Sequence, residues 1–336
     1  MTHAAVSFRQ WLGRWGEAWD QFWFTPADPA TLAVLRITGG GMLLYTHLVW
    51  SRDLLGFFGP SGRLPSEWVQ SFHGSPFAWS HLYYLESPTL LWLAHAAALL
   101  VLLLLVLGLW SRVTSILSAL VVIAYAHRGA GALFGLDQIN GLIALYLAVG
   151  GGGGQAYSLD RLLAKRRGGR PPEIEWSTQA NLGIRLTQVH MCVVYLFAGG
   201  GKLLGDTWWD GTAIWHSFAN YEYQSLDMTW LAAWPAVINA LTLTSVAWEL
   251  SYPFLVWNQR LRPIVVGLAV PLHLGIALCM GMMTFGLVMI LGNLAFVPPS
   301  WVRACVNRFP SFGRSSGSTA PIPAEAAPAG RRRRSR

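Results

Sequence analysis

Charge is scarce in this chain. Asp, Glu, Lys and Arg make up only 12% of its 336 residues, about half the roughly 25% of a soluble domain. That shortfall argues against a disordered chain and against a soluble enzyme. Cysteine is equally sparse. Cys192, Cys279 and Cys305 form no CxxC and no zinc spacing, and the first two sit inside apolar runs as expected buried thiols. No two histidines stand at i, i+4 and no acids cluster with histidine, so no metal site is expected. The Gly150–Gly154 run lacks the lysine and the preceding strand of a phosphate loop. A nucleophile elbow and internal repeats are also missing. The opening residues contain acids and large aromatics without the small-residue cleavage pattern of a secretory signal.

Apolar side chains are abundant instead. They reach 53%, with 18 Trp and 35 Gly. Membrane proteins place Trp at the interfaces and Gly inside helices, so composition predicts an all-α polytopic bundle. The net charge of +8 belongs to the end of the chain: residues 301–336 hold eight Arg and one Glu, or +7, leaving +1 for residues 1–300. A nearly neutral body argues against nucleic acid as a partner. The run Arg331–Arg334 with Arg336 either contacts anionic lipid headgroups or is simply solvated.

Residues 6–24 place Phe8, Trp11, Leu12, Trp15, Trp19, Phe22 and Trp23 at helical spacing, with charged residues between them. This is the pattern of an amphipathic helix lying on a membrane surface. A span needs about 20 mostly apolar residues. Candidate spans lie near 30–50, 89–109, 112–127, 136–152, 183–204, 230–257, 263–281 and 283–299. The last two are close enough to form a tight hairpin or one broken helix. Arg161, Lys165, Arg166, Arg167 and Arg170 lie between the fourth and fifth spans, and Arg260 and Arg262 between the sixth and seventh. Asp206, Asp210, Glu222 and Asp227 dominate the intervening loop. The positive-inside rule then puts both termini in the cytoplasm, and eight spans satisfy the alternation. Long loops at 51–88 and 205–229 fall on the extracytoplasmic side. The expected division is an interfacial helix at 1–24, a transmembrane domain at 25–300 and a basic, disordered cytoplasmic tail at 301–336.

Ionisable groups at membrane depth are the default functional candidates. Arg36, Asp137, Lys202, Glu249 and His273 stand out. Gln188, Tyr195 and Lys202 are seven apart and therefore share one helix face. Lipid offers such a stripe no partners, so it must look into the bundle or a hydrated cavity. Gly199–Gly201 allow close approach or local unwinding just before the lysine. A buried Lys202 could serve as a general base; the plainer reading is a lysine snorkelling to the headgroups. Glu249, His273 and His190 could equally be core groups satisfied by neighbours.

The stretch Tyr195–Leu203 continuing to Trp208-Trp-Asp210-Gly211 resembles the HTTM family of membrane proteins. That family takes in the membrane part of vitamin K-dependent gamma-glutamyl carboxylase and many bacterial multi-pass proteins. Phe24-Thr-Pro-Ala-Asp28, Leu35-Arg36-Ile37, Gly59-Pro60, Glu249-Leu-Ser-Tyr-Pro253 and His273 with Gly281 and Phe285 are similar to bacterial members. The resemblance implies that Lys202 deprotonates a hydroquinone, with Tyr195 beside it, and that a quinone is the cofactor. It also implies a bacterial inner-membrane location. The carboxylase carries a histidine shortly before a Ser-x-Asp. Here Ser158-Leu-Asp160 follows Gln155-Ala-Tyr157, and Gln155 stands in that place; glutamine can donate a hydrogen bond but cannot carry the proton. The large luminal domain of the carboxylase has no counterpart in this sequence, which argues against full glutamyl carboxylation.

The expected function is therefore a lipid-accessible pocket for a quinone-like or other amphipathic small molecule. Lys202 and Tyr195 are the catalytic candidates, and Gln188, Glu249, His273, Gln155 and Arg36 the binding ones. A transporter or channel, or a non-enzymatic assembly partner, are the alternatives.

Overall fold

A computed structural model describes residues 8–73, 77–168 and 173–308. The arginine-rich run at 331–336 and Arg170 lie outside the described residues. The described chain is helical, with no named strand and one isolated bridge pairing Ala27 with Ser177.

In chain order the helices are α1 (Phe8–Phe24), α2 (Ala30–Trp50), α3 (Leu54–Phe58), α4 (Ser66–His73) and α5 (Pro88–Leu107). Then come α6 (Ser111–Arg128), α7 (Gly135–Val149), α8 (Leu159–Gly168), α9 (Thr178–Lys202) and α10 (Asp206–Trp209). The last five are α11 (Ala213–Phe218), α12 (Pro235–Leu255), α13 (Arg262–Cys279), α14 (Met283–Asn293) and α15 (Pro299–Asn307). All eight stretches expected to span are helical. The two expected loops carry the short helices α3, α4, α10 and α11.

Length and apolarity single out four helices able to cross a membrane: Ala30–Phe58, Pro88–Leu107, Thr178–Lys202 and Arg262–Cys279. A fifth is reached if Met283–Phe296 and Pro299–Asn307, bent by 108°, count as one. The remaining expected spans fall short for visible reasons. α6 carries Ser111, Thr114, Ser115 and Ser118 on its buried side. α7 has 15 residues, and α12 holds Asn239, Glu249 and several hydroxyls. α5 and α13 are apolar on every side, yet only 28% and 22% of their spanning windows are buried. A helix that is apolar where nothing in the protein covers it is suited to lipid.

α2 runs through the middle of the bundle against α5, α7, α9 and α14. Its Leu32, Leu35 and Leu43 join Leu102, Leu105, Ile143, Leu147 and Val288 in the main core. Between helices in lipid these leucines stabilise by close packing, since lipid tails are as apolar as leucine. α13 and α14 form the tight hairpin, turned by Gly281 at φ +69.

Two ends of the bundle can be told apart. At one, Asp28 receives both guanidinium contacts of Arg303, at 2.6 and 2.8 Å, beside the Ala27–Ser177 bridge. This pairing explains why residues 301–307, expected to be disordered, are helical: Pro299 starts α15, Val302 is buried and Arg303 is anchored. At the other end Ser225 reaches Leu278 O, next to the hairpin turn. Asp210 and Asp227 lie in this end's exposed loop, each held below the usual carboxylate range by the hydroxyl and amide of Thr212 and Thr229.

α1 buries none of its side chains. Only its end is docked, where Asn181 Nδ2 donates to Phe22 O and Trp23 O, both at 2.9 Å. Trp11, Trp15 and Trp19 stay exposed.

Candidate functional site

α9 keeps its helical hydrogen bonding to Lys202, so the three glycines do not unwind it. Gly199 instead allows close approach to α12: a Cβ there would sit 3.1 Å from Glu249 Cβ and 3.0 Å from Leu250. That proximity lets Lys202 turn back onto α12. Its Nζ donates to both oxygens of Glu249, at 2.6 and 2.8 Å. The lysine side chain is 22% exposed and the glutamate 7%. Trp208 covers the ammonium from the loop side, its ring centroid 5.0 Å from Nζ. The side chain is therefore sheltered by protein and ion-paired, not snorkelling.

Two turns deeper on the same face, Tyr195 is 1% exposed. Asn293 Nδ2 donates to its hydroxyl at 2.8 Å, and the hydroxyl meets His273 Nε2 at 2.8 Å. Tyr252 donates to Asn293 Oδ1 at 2.6 Å. The Tyr195 oxygen accepts from Asn293, and donation of its own proton to His273 Nε2 gives both groups a partner. In that arrangement the neutral imidazole carries its hydrogen on Nδ1. That atom is buried and has no hydrogen-bond partner. Trp248 and Tyr252 close over Tyr195 with ring centroids 4.8 and 4.2 Å away.

Four candidates thus come together: Lys202 and Tyr195 from α9, Glu249 from α12 and His273 from α13. Gln188, a further two turns down, is tied to Ala295 O at 2.8 Å and to Arg185 at 3.0 Å, and serves packing between α9 and the end of α14. The other two candidates lie elsewhere. Arg36 is fully buried, but its guanidinium caps the end of α5 at Leu105 O and Val106 O, both 2.8 Å, and holds Tyr157 O at 2.7 Å. Gln155 is exposed beside a surface hollow with Asp160, Arg161, Glu173 and Glu175. Gly150, in the same turn, packs on Gly183 of α9. Lys202 lies 19 residues further along, about 28 Å at 1.5 Å per residue.

Asn293, Tyr252 and Trp208 complete the cluster and were not singled out in the sequence. Asn293 was open to the criterion that found Glu249, a polar residue inside an apolar run. The same criterion fits a second polar group: His47, His95, Tyr125 and Asn140, all buried between α2, α5, α6 and α7. Near them a hollow is lined by Thr46, His47, Trp50, Asp137 and Asn140 among others. Asp137, the remaining sequence candidate, sits at its rim and caps α7 by accepting from Phe134 N at 2.9 Å. Cys192 is buried as expected, whereas Cys279 at the end of α13 is partly exposed. Among the described residues no group of three His, Cys, Asp or Glu could hold a metal ion.

Fold and cluster together define a multi-helix membrane-type protein with ionisable side chains paired inside its helical bundle. The HTTM domain matches residues 24–301, nearly the whole chain, and the protein belongs to that family. No curated protein and no solved structure matches it.

Proposed function

We propose that this protein holds a quinone-like or other amphipathic small molecule beside the Lys202–Glu249 pair, with Lys202 as proton acceptor and Tyr195 as its neighbouring hydrogen-bonding group. The observation that carries the reading is the buried Nδ1–H of His273, which no protein acceptor satisfies. Leaving such a donor unmade costs about 1–3 kcal/mol. A carbonyl or phenolate oxygen would satisfy it, and the Phe285 ring that meets the same imidazole would give such a molecule an apolar neighbour. A bound quinone would supply reversible two-electron chemistry.

The chain's own contribution is proton handling. While Glu249 is ionised, Lys202 is held as ammonium. A base role requires one proton to move from Nζ to a Glu249 oxygen across the 2.6 Å contact. The two charges then disappear together, which a poorly solvated site tolerates, and the free amine can accept a proton from a ligand hydroxyl. Gln155, at the opposite end of α9, takes no part.

We further propose that α6, α7, α12 and α14 cross the bilayer with the four long helices, giving eight spans. Ser118, Asn140, Thr242, Ser245, Glu249 and Asn293 on these helices are buried in the bundle, as lipid requires. Arg161, Lys165, Arg260 and Arg262 would then face the cytoplasm of a bacterial cell, where the basic tail would meet anionic lipid.

The test is titration of short-chain ubiquinone into protein held in lipid nanodiscs, read by isothermal calorimetry. Wild-type protein should bind saturably. Lys202→Met and His273→Phe should each weaken binding at least tenfold while preserving the circular dichroism spectrum. Wild-type affinity in both folded variants would overturn the proposal.

A further inference from the structure

The second polar group has a hydrogen-bond pattern that specifies what its hollow would take. His47 Nδ1 lies 2.8 Å from Leu43 O, and a carbonyl only accepts, so Nδ1 carries the proton. The neutral ring therefore leaves Nε2 as a bare lone pair. Thr46 Oγ1 donates to Met42 O at 2.9 Å, so it accepts from Asn140 Nδ2 at 3.4 Å, which orients the amide. Asn140 Oδ1 is then the free end. Both His47 Nε2 and Asn140 Oδ1 are buried without a partner, and His47 and Asn140 are 1% and 2% exposed.

The neighbouring polar atoms are all accounted for. Ser51 Oγ donates to His47 O at 3.1 Å, so it accepts from His95 Nε2 at 2.8 Å. His95 Nδ1 then accepts from the Tyr125 hydroxyl at 2.7 Å. What remains is two orphaned acceptors on residues that line one hollow of about 10 Å³, room for one water-sized group such as a single ammonium nitrogen with its carbon left at the mouth; Asp137 and Trp50 line the same hollow. Trp50, Ala126, Leu133 and Asp137 are partly exposed at the mouth, while His47, Thr46, Asn140 and Leu43 are buried at its floor.

We propose that this hollow binds a compact cationic hydrogen-bond donor, the ammonium group of a small alkylamine or of an aminated lipid head. An ammonium offers three donors and no acceptor. It satisfies both orphaned lone pairs, is neutralised by Asp137 and is favoured over an aromatic face. A quinone oxygen brings acceptors to acceptors and is rejected here. The two polar groups are thus opposite in demand: His273 offers a hydrogen, His47 and Asn140 ask for them.

The experiment uses full-length protein labelled with nitrogen-15 at histidine, in phosphatidylcholine nanodiscs, titrated with methylammonium. The His47 Nε2 resonance, assigned by its loss in His47→Phe, should shift saturably. Asp137→Asn retains an oxygen for the cap on Phe134 and removes the charge; it should weaken the midpoint at least tenfold. Replacing part of the phosphatidylcholine with phosphatidylethanolamine separates the sources. A resonance already shifted before titration identifies the lipid head, whereas an unshifted one that responds to methylammonium identifies a soluble amine. A resonance that moves under neither condition means that water alone satisfies the two acceptors, and it overturns the proposal.

Discussion

Lys202 and Glu249 are coupled so closely that neither can be understood alone. Removing one leaves the other's charge in a site with little water, a change that costs about 3–5 kcal/mol in buried pairs. The lysine is 22% exposed and the glutamate 7%, so the two single losses should differ. Glu249→Leu leaves an ammonium that can swing toward the loop, and should fall at the low end of that range. Lys202→Met strands a carboxylate between α9 and α12 and should cost more. The double variant replaces the pair with apolar side chains and should recover most of the loss, because a well-packed apolar substitute is often neutral or better. Urea or thermal unfolding of the four proteins in one detergent closes the cycle. Additive single effects, with no recovery in the double variant, would contradict a direct pair. The cycle also separates fold from function: a double variant as stable as wild type but unable to bind ubiquinone assigns the pair to ligand chemistry.

Helix ends and close crossings explain why some candidates converge and others do not. Arg36 was singled out because it is an arginine inside an apolar helix, but the sequence could not show that the end of α5 arrives beside it. Gly108 ends α5 at φ +69, and the carbonyls freed there are the ones Arg36 collects. Arg36→Leu should therefore destabilise the protein by about 4–5 kcal/mol, the worth of its three charged hydrogen bonds to backbone at roughly 1.5 kcal/mol each. Ubiquinone affinity in the folded fraction should not change, and a tenfold loss would place Arg36 in the ligand site after all. The glycine run behind it follows the same logic. Gly151, Gly152 and Gly153 all have positive φ, and a Cβ on Gly152 would meet Ser111 O at 2.3 Å. Gly150 and Gly154 flank these three with contacts to Leu32 and Ser111 that leave no room for a Cβ, which accounts for five consecutive glycines. The helices were legible because their apolar runs are long, and the Gln188–Tyr195–Lys202 stripe because one helix fixes its own periodicity. Pairings across helices, such as Tyr195 with Asn293 and His273, depend on which faces meet; nothing local in the chain encodes that.

Across the entire bundle, charge is sorted by end. Asp28, Arg161, Lys165, Arg260, Arg262 and Arg303 gather where α9 begins, whereas Asp206, Asp210, Glu222 and Asp227 lie beyond its last residue. Basic residues dominate the first end, which the proposed orientation, following the rule that cytoplasmic loops retain Lys and Arg, makes the inner one. The proposed eight crossings require α2 to run outward, α5 inward, and so on in alternation, so the two ends make opposite demands on any reagent that cannot cross the membrane. Two positions report this cleanly. Cys305 on α15 is exposed at the basic end, and Tyr221 is 91% exposed in the acidic loop. A membrane-impermeant maleimide added to intact cells should label Tyr221→Cys in a background where Cys192, Cys279 and Cys305 are replaced by Ser. Cys305 itself, with Cys192 and Cys279 replaced by Ser, should react only after the membrane is opened. Removing one of the three crossings between them, α12, α13 or α14, leaves the two sites on the same side, where both would react in intact cells or neither would. The labelling pattern therefore decides between an even and an odd number of crossings between the two positions. With it is decided whether Lys202, at the last turn of α9, faces the extracytoplasmic half of the bilayer as proposed.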